Sequence, residues 1–144
     1  MTARMRVLAL DYVEARCGVA ISDPTGVLAT PLAALEPPDP EAVAELVRER
    51  SVGLVVVGLP IGLSGTEGAQ AGDARRFRDQ VANLVDVPVQ TYDERLTTKL
   101  AQRTARLGAT ADEDSIAAAH ILESYLASRS ESPAGGESER GPER

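Results

Sequence analysis

The sequence predicts an α/β fold, a central mixed β-sheet flanked by helices, with elements in the order βββαβαβαα. Three observations lead there. The runs at 5–11 and 53–60 ("GLVVVGLP") are too continuously apolar for a strand with one wet face, so they read as strands buried on both sides. Between the later strands, apolar residues recur at helical spacing, as in Val43, Leu46 and Val47. The first three strand-like segments follow one another with no helical stretch between them, which predicts an antiparallel meander at one side of the sheet.

Each element has its own local cause. Residues 5–11 form the first strand, with Asp11 at its end, and 17–23 form the second. "DPTG" at 23–26 is a strong turn, because proline presets φ and glycine permits a left-handed residue. Residues 27–35 return as a third strand, interrupted or ended near Pro31. "EPPDP" breaks the chain, and Asp39 can cap a helix that has Pro40 at its first position. After the buried strand, "IGLSGTEG" is a glycine-rich loop. Ala74, Phe77, Val81 and Leu84 then mark one face of a second helix. "VPVQTY" is a short strand with "DERLTT" at its carboxyl end. Leu96, Leu100 and Leu107 give the stripe of a third helix closed by Gly108, and 112–127 form the last one. From 128 onward the Ser/Glu/Gly/Pro/Arg mixture cannot bury enough apolar surface to order itself. The expected organisation is one domain over 1–128 with a disordered tail over 129–144.

Composition narrows the function. With 144 residues, one Phe and no Trp, the core must be aliphatic. No apolar run approaches the ~20 residues that span a bilayer, and no signal-peptide pattern opens the chain, so a cytoplasmic protein is expected. A single cysteine, Cys17, allows neither an intrachain disulfide nor a cysteine-based zinc site. The net charge of −7 argues against a nucleic-acid partner at first sight, but binding depends on local patches. Part of that acidity lies in the tail and around 36–45.

In sheets of this kind, ligands bind beyond the carboxyl ends of the strands. Asp11, Asp93 and Glu94 fall at such ends. Asp114 lies in the first turn of the final helix, and its neighbours three, four and seven residues on are Ala117, Ala118 and Ile121. It therefore occupies an apolar face, where two alanines allow close approach to the sheet and a carboxylate must be paired or bind a cation. Acids converging without cysteine suit a hard cation with oxygen ligands, Mg²⁺ or Mn²⁺. Taken singly, each acid is more often a turn or cap residue; their joint placement favours a site. Arg95, Lys99, Arg103 and Arg106 form one basic stripe on the following helix. Beside a carboxylate site, that stripe suits a phosphodiester backbone; alone it would be a solvated helix face. Arg75, Arg76 and Arg78 carry the same two readings. The glycine-rich loop lacks the Gly-Lys-Ser/Thr ending of a Walker loop, although its amides, Ser64 and Thr66 could contact a phosphate. His120 is off the Asp114 face and reads as structural or partly exposed, and Cys17 as inert.

At these residues the sequence resembles the YqgF/RuvX-type nucleases of the ribonuclease H-like, Holliday-junction resolvase superfamily. "LDYVEARCGVAISD" resembles the family's D-x-G-x-x-R-x-G-V-A-x-S-D, and "VVGLPIGLSGTEG" its V-V-G-L-P…G-x-E block. "YDERLTT" matches D-E-R-L-T-T, and "DSIAAAHILESYL" matches the final-helix D-x-x-A-A-x-x-I-L-x-x-Y-L. The resemblance spans 8–126. It implies a ribonuclease H-like fold and a metal-dependent phosphodiesterase that matures the 5′ end of the 16S ribosomal RNA precursor. Carried over by position, Asp11, Glu94 and Asp114 would be the metal-binding acids, with Asp93 beside them. Arg16, Arg95 and Thr97 would fall in substrate-contact motifs, extended by Lys99 and Arg103 of the basic stripe. The partner would be nucleic acid, RNA or branched or single-stranded DNA, and the protein a monomer or homodimer. A junction resolvase and a non-catalytic RNA-binding factor are the alternatives. An ATPase-like module ranks lower, since 144 residues supply no second nucleotide-binding half. Val13 departs from the pattern by replacing the family glycine, which predicts a turn that does without a glycine-only conformation.

Overall fold

The structure is a computed structural model that describes residues 5–13, 16–60, 68–94 and 111–131. Its elements are β1 (Arg6–Val13), β2 (Arg16–Ser22), β3 (Ala29–Leu35), α1 (Pro40–Glu49), β4 (Val52–Leu59), α2 (Ala69–Ala82), β5 (Val89–Asp93) and α3 (Ala111–Glu131). The expected helix carrying Leu96, Leu100 and Leu107 lies outside the described residues.

The five strands stand in the order β3-β2-β1-β4-β5. β1, β2 and β3 pair antiparallel as the expected meander, while β4 runs parallel to both β1 and β5. Pro31 does not end β3. It pairs with Ala20 inside the strand, and β3 is the sheet edge, where the missing amide hydrogen breaks no second ladder. The β2–β3 turn is held by Asp23, whose Oδ1 accepts from the amides of Val27 (2.8 Å) and Leu28 (2.9 Å), while the Thr25 hydroxyl donates to its Oδ2. Those bonds hold the Asp23 carboxyl well below its usual range.

α1 starts as expected: Asp39 accepts from the Glu41 amide at 3.0 Å, and Pro40 follows the cap. α2 buries Ala71, Ala74, Phe77 and Val81. Leu84, expected on that face, is instead 43% exposed, because the helix stops at Ala82 and the helical period stops with it. α3 runs past the expected end at Ala127 to Glu131. Among the described residues, no helix is long and apolar enough to cross a membrane.

Side chains alternate across the sheet, so its two faces carry two cores. On one face Leu8, Leu10, Val19, Ile21, Val55 and Val57 pack with Val43 and Val47 of α1 and Phe77 and Val81 of α2. Tyr12 joins that side, its ring 5.0 Å from that of Phe77. On the other face Val7, Ala9, Ala20, Leu54 and Val56 lie under Ala118, Ala119, Ile121, Leu122 and Leu126 of α3. Asp11 continues the series Val7, Ala9, and therefore belongs to the α3 face.

Candidate functional site

Asp11 is not the last residue of its strand. β1 continues to Val13, held by the pairs Tyr12 with Cys17 and Val13 with Arg16. What ends just before Asp11 is the ladder to β4, whose last pair is Leu10 with Val57. β4 itself goes on beside β5 as far as Leu59 opposite Asp93. β1 stays with β2 and β4 with β5, so a crevice opens between β1 and β4, and Asp11 is the first side chain in it on the α3 face.

Glu94 follows β5 directly and reaches across Gly58 of β4. A Cβ on Gly58 would stand 2.8 Å from Glu94 Oε2, so the glycine is what lets the carboxylate cross the strand. Asp11 and Glu94 are hydrogen-bonded through their carboxyl groups. Burial pushes the Asp11 carboxyl well up, and repulsion from Glu94 and then Asp114 adds to the rise. Glu94 is also raised, by burial first; Asp93 repels it, while the bond to Asp11 pulls the other way. Asp93, the last residue of β5, thus acts on Glu94 by its charge.

Asp114 arrives from above. Asp11 pairs with Gly18 across the β1–β2 ladder, and a Cβ on Gly18 would lie 2.0 Å from the Asp114 carbonyl oxygen. Helix and strand backbones touch at that point, where only glycine fits. A register shift between Cys17 and Val19 in the β2–β3 pairing accompanies a second contact there, the Val19 amide donating to Ser115 Oγ at 3.1 Å. Ser115 is fully buried. The Asp114 carboxylate accepts from Arg16 Nε, an ion pair that raises the Arg16 pKa further.

The structure therefore brings Asp11 and Glu94 into contact and sets Asp114 beside them, turned to Arg16. Among the described residues, no three His, Cys, Asp or Glu side chains stand close enough to hold a metal ion as they are. Arg95, Thr97, Lys99 and Arg103 lie outside the described residues, as do Ser64 and Thr66. Arg76 pairs with Asp73 and Arg78 with Asp79 on α2, so these two arginines follow the solvated-helix reading. Val13 sits in extended strand opposite Arg16; among the described residues positive φ occurs only at Gly26 and Ser51, so position 13 makes no demand for glycine. Cys17 is buried and its thiol is pushed far up by desolvation, as an inert position requires. His120 is half-buried, its Nδ1 enclosed without a hydrogen-bond partner among the described residues.

The sequence reading gave Gly18, Gly58 and Ser115 no role at the site. A glycine inside a buried apolar strand is the signal that would have found the first two, since it marks a close approach. Ser115 gives no such signal.

The family model described as RuvX, Holliday junction resolvase, matches residues 5–128. The chain belongs to that family. A candidate pre-16S rRNA nuclease of Chloroflexus aurantiacus is 42% identical over 137 residues, 88% of this chain and 90% of that protein. One from Pelotomaculum thermopropionicum is 39% identical over 152 residues, covering 96% and 99%. Among solved structures, Thermus thermophilus RuvC bound to a Holliday junction superposes with a TM-score of 0.62 at 16% identity, covering 88% of this chain and 96% of that one. A second structure of Thermus thermophilus RuvC gives 0.57 at 17% identity, covering 87% and 97%. The fold is thus the ribonuclease H-like fold of RuvC.

Proposed function

We propose that this chain is a divalent-metal-dependent nuclease that hydrolyses phosphodiester bonds and processes the 5′ end of the 16S rRNA precursor in the cytoplasm. The observation that carries the reading is the contact between the Asp11 and Glu94 carboxyls in the β1–β4 crevice, with Asp114 beside them. Two desolvated acids pressed together are unfavourable unless a proton or a cation lies between them. Their oxygens, with no neighbouring thiolate, form a donor set for Mg²⁺ or Mn²⁺ rather than for a softer metal. Asp11, Glu94 and Asp114 would hold that ion. When bound, it would supply a hydroxide nucleophile and neutralise charge on the phosphate.

The remaining work falls to the protein. Arg16 is held beside Asp114, where a planar guanidinium can grip a phosphate through two donors. Arg95, Thr97, Lys99 and Arg103 follow Glu94 directly in sequence and would extend the contact along the backbone of the nucleic acid. The family membership and the names of the relatives support the same substrate class.

The family description favours a second reading, cleavage of branched DNA, which requires two active sites and hence a homodimer. Purified protein should be given Mn²⁺ with a precursor transcript carrying the 16S 5′ leader, single-stranded RNA, single-stranded DNA and a four-way DNA junction. Cleavage of the transcript near the mature end, abolished in Asp11→Asn with the circular dichroism spectrum unchanged, is expected. Undiminished cleavage by Asp11→Asn would sink the catalytic assignment, and preference for the junction would favour the resolvase.

A further inference from the structure

Resting on the metal-site reading above, we propose that Arg16 is a built-in counter-cation that holds the Asp114 carboxylate and must release it when a divalent ion is bound. Asp114 carries an arginine partner in the structure, through Arg16 Nε. Asp11 and Glu94 instead face each other. Since no three acids are within reach of one ion among the described residues, Asp114 has to turn before it can share one with Asp11 and Glu94.

The turn belongs to the side chain alone. The Asp114 backbone is fixed by its contact with Gly18, and the next residue is fixed by the bond from the Val19 amide to Ser115 Oγ. α3 therefore has no room to slide toward the crevice, and the carboxylate swings while the helix stays. The ion pair opposing that swing is weak enough to yield. Its side chains remain 30% and 19% exposed, so solvent reaches the pair and screens it in part. Once released, Arg16 is a free guanidinium beside the bound ion, ready for a phosphate. Metal binding and nucleic-acid binding should then reinforce each other through this one residue, by linkage.

The test measures Mn²⁺ affinity of the full chain by calorimetry, for the wild type, Arg16→Gln, Asp114→Asn, the double variant and Asp11→Asn. Arg16→Gln should bind Mn²⁺ about two- to fivefold tighter than wild type, the factor expected from removing a partly exposed ion pair. In the Asp114→Asn background the same change should have no effect. Equal or weaker binding by Arg16→Gln, with Asp11→Asn still lowering affinity, overturns the exchange and leaves the metal site standing. Wild-type affinity in both Asp11→Asn and Asp114→Asn removes the metal site, and this proposal with it. A second measurement needs no variant: the Arg16 Nε–H resonance of the wild-type protein should move during a Mg²⁺ titration, with the midpoint of metal binding. A stationary resonance at saturating Mg²⁺ refutes the exchange.

Discussion

The two faces of the sheet are built from different residues and do different work. Toward α1 and α2 the strands present Leu8, Leu10, Val19, Ile21, Val55 and Val57, closed by Phe77 and Val81. Toward α3 they present Ala9, Ala20, Gly18 and Gly58 among a few larger residues, met by Ala118 and Ala119. The first face buries the larger side chains, and each of them stabilises the fold by about 1.5–3 kcal/mol relative to exposure. The second gives up apolar volume so that a helix can rest its backbone on a strand. All three acids lie on this thin face. Small residues are what carboxylates on separate elements need if they are to meet.

The comparison breaks most visibly at Gly18. Gly18→Val puts a side chain where the Asp114 carbonyl stands, so α3 must lift. We expect a loss of about 3 kcal/mol in stability and about 100-fold in cleavage, the scale set by ångström displacements at a reacting centre. Thermal unfolding and a cleavage assay measure both. On the thick face, Phe77→Ala should cost about 3–5 kcal/mol of stability while cleavage per folded molecule stays at the wild-type rate. Comparable loss of cleavage in the two variants, after correction for unfolded protein, would erase the division of labour. Ser115→Ala leaves the buried Val19 amide unpartnered and should cost about 1–3 kcal/mol, with weaker Mn²⁺ binding as Asp114 loses its anchor. Calorimetry reads both quantities.

The smallest expected effect is a pH dependence of the metal-free protein. Asp11 and Glu94 are raised above their ordinary values of 3.8 and 4.5, so the folded state holds a proton that the unfolded chain releases. Stability from this pair is complete below those values and is lost as pH rises through the folded pKa. In a chelator, Asp11→Asn should therefore gain Tm over wild type as pH goes from about 5 to 8, and Mg²⁺ should close the gap. A gap independent of pH would show that the pair is not raised.

Much of this was legible in the sequence. The apolar runs, the Asp39–Pro40 helix start and the "DPTG" turn are local, so each appeared where its residues said it would. That Asp11 and Glu94 would lie near each other was legible because the α/β pattern gathers strand ends, and Asp114 stood out by falling on an apolar helix face; a shared metal ion is the proposal built on that placement. Leu84 was misread because a helical period says nothing about where the helix stops. Pro31 was read as a break because edge position is a property of the sheet and not of the residue.

What the sequence determined by itself is the alternation of large and small apolar residues, and with it which strands have two buried faces. Only the tertiary structure decided that β1 parts from β4 just before Asp11, since that depends on which neighbour each strand keeps. Only it revealed why Gly18 and Gly58 are glycines. The reason is physical: a glycine in a strand flags a close approach, but which backbone or carboxylate takes the place of its missing Cβ is set by tertiary packing.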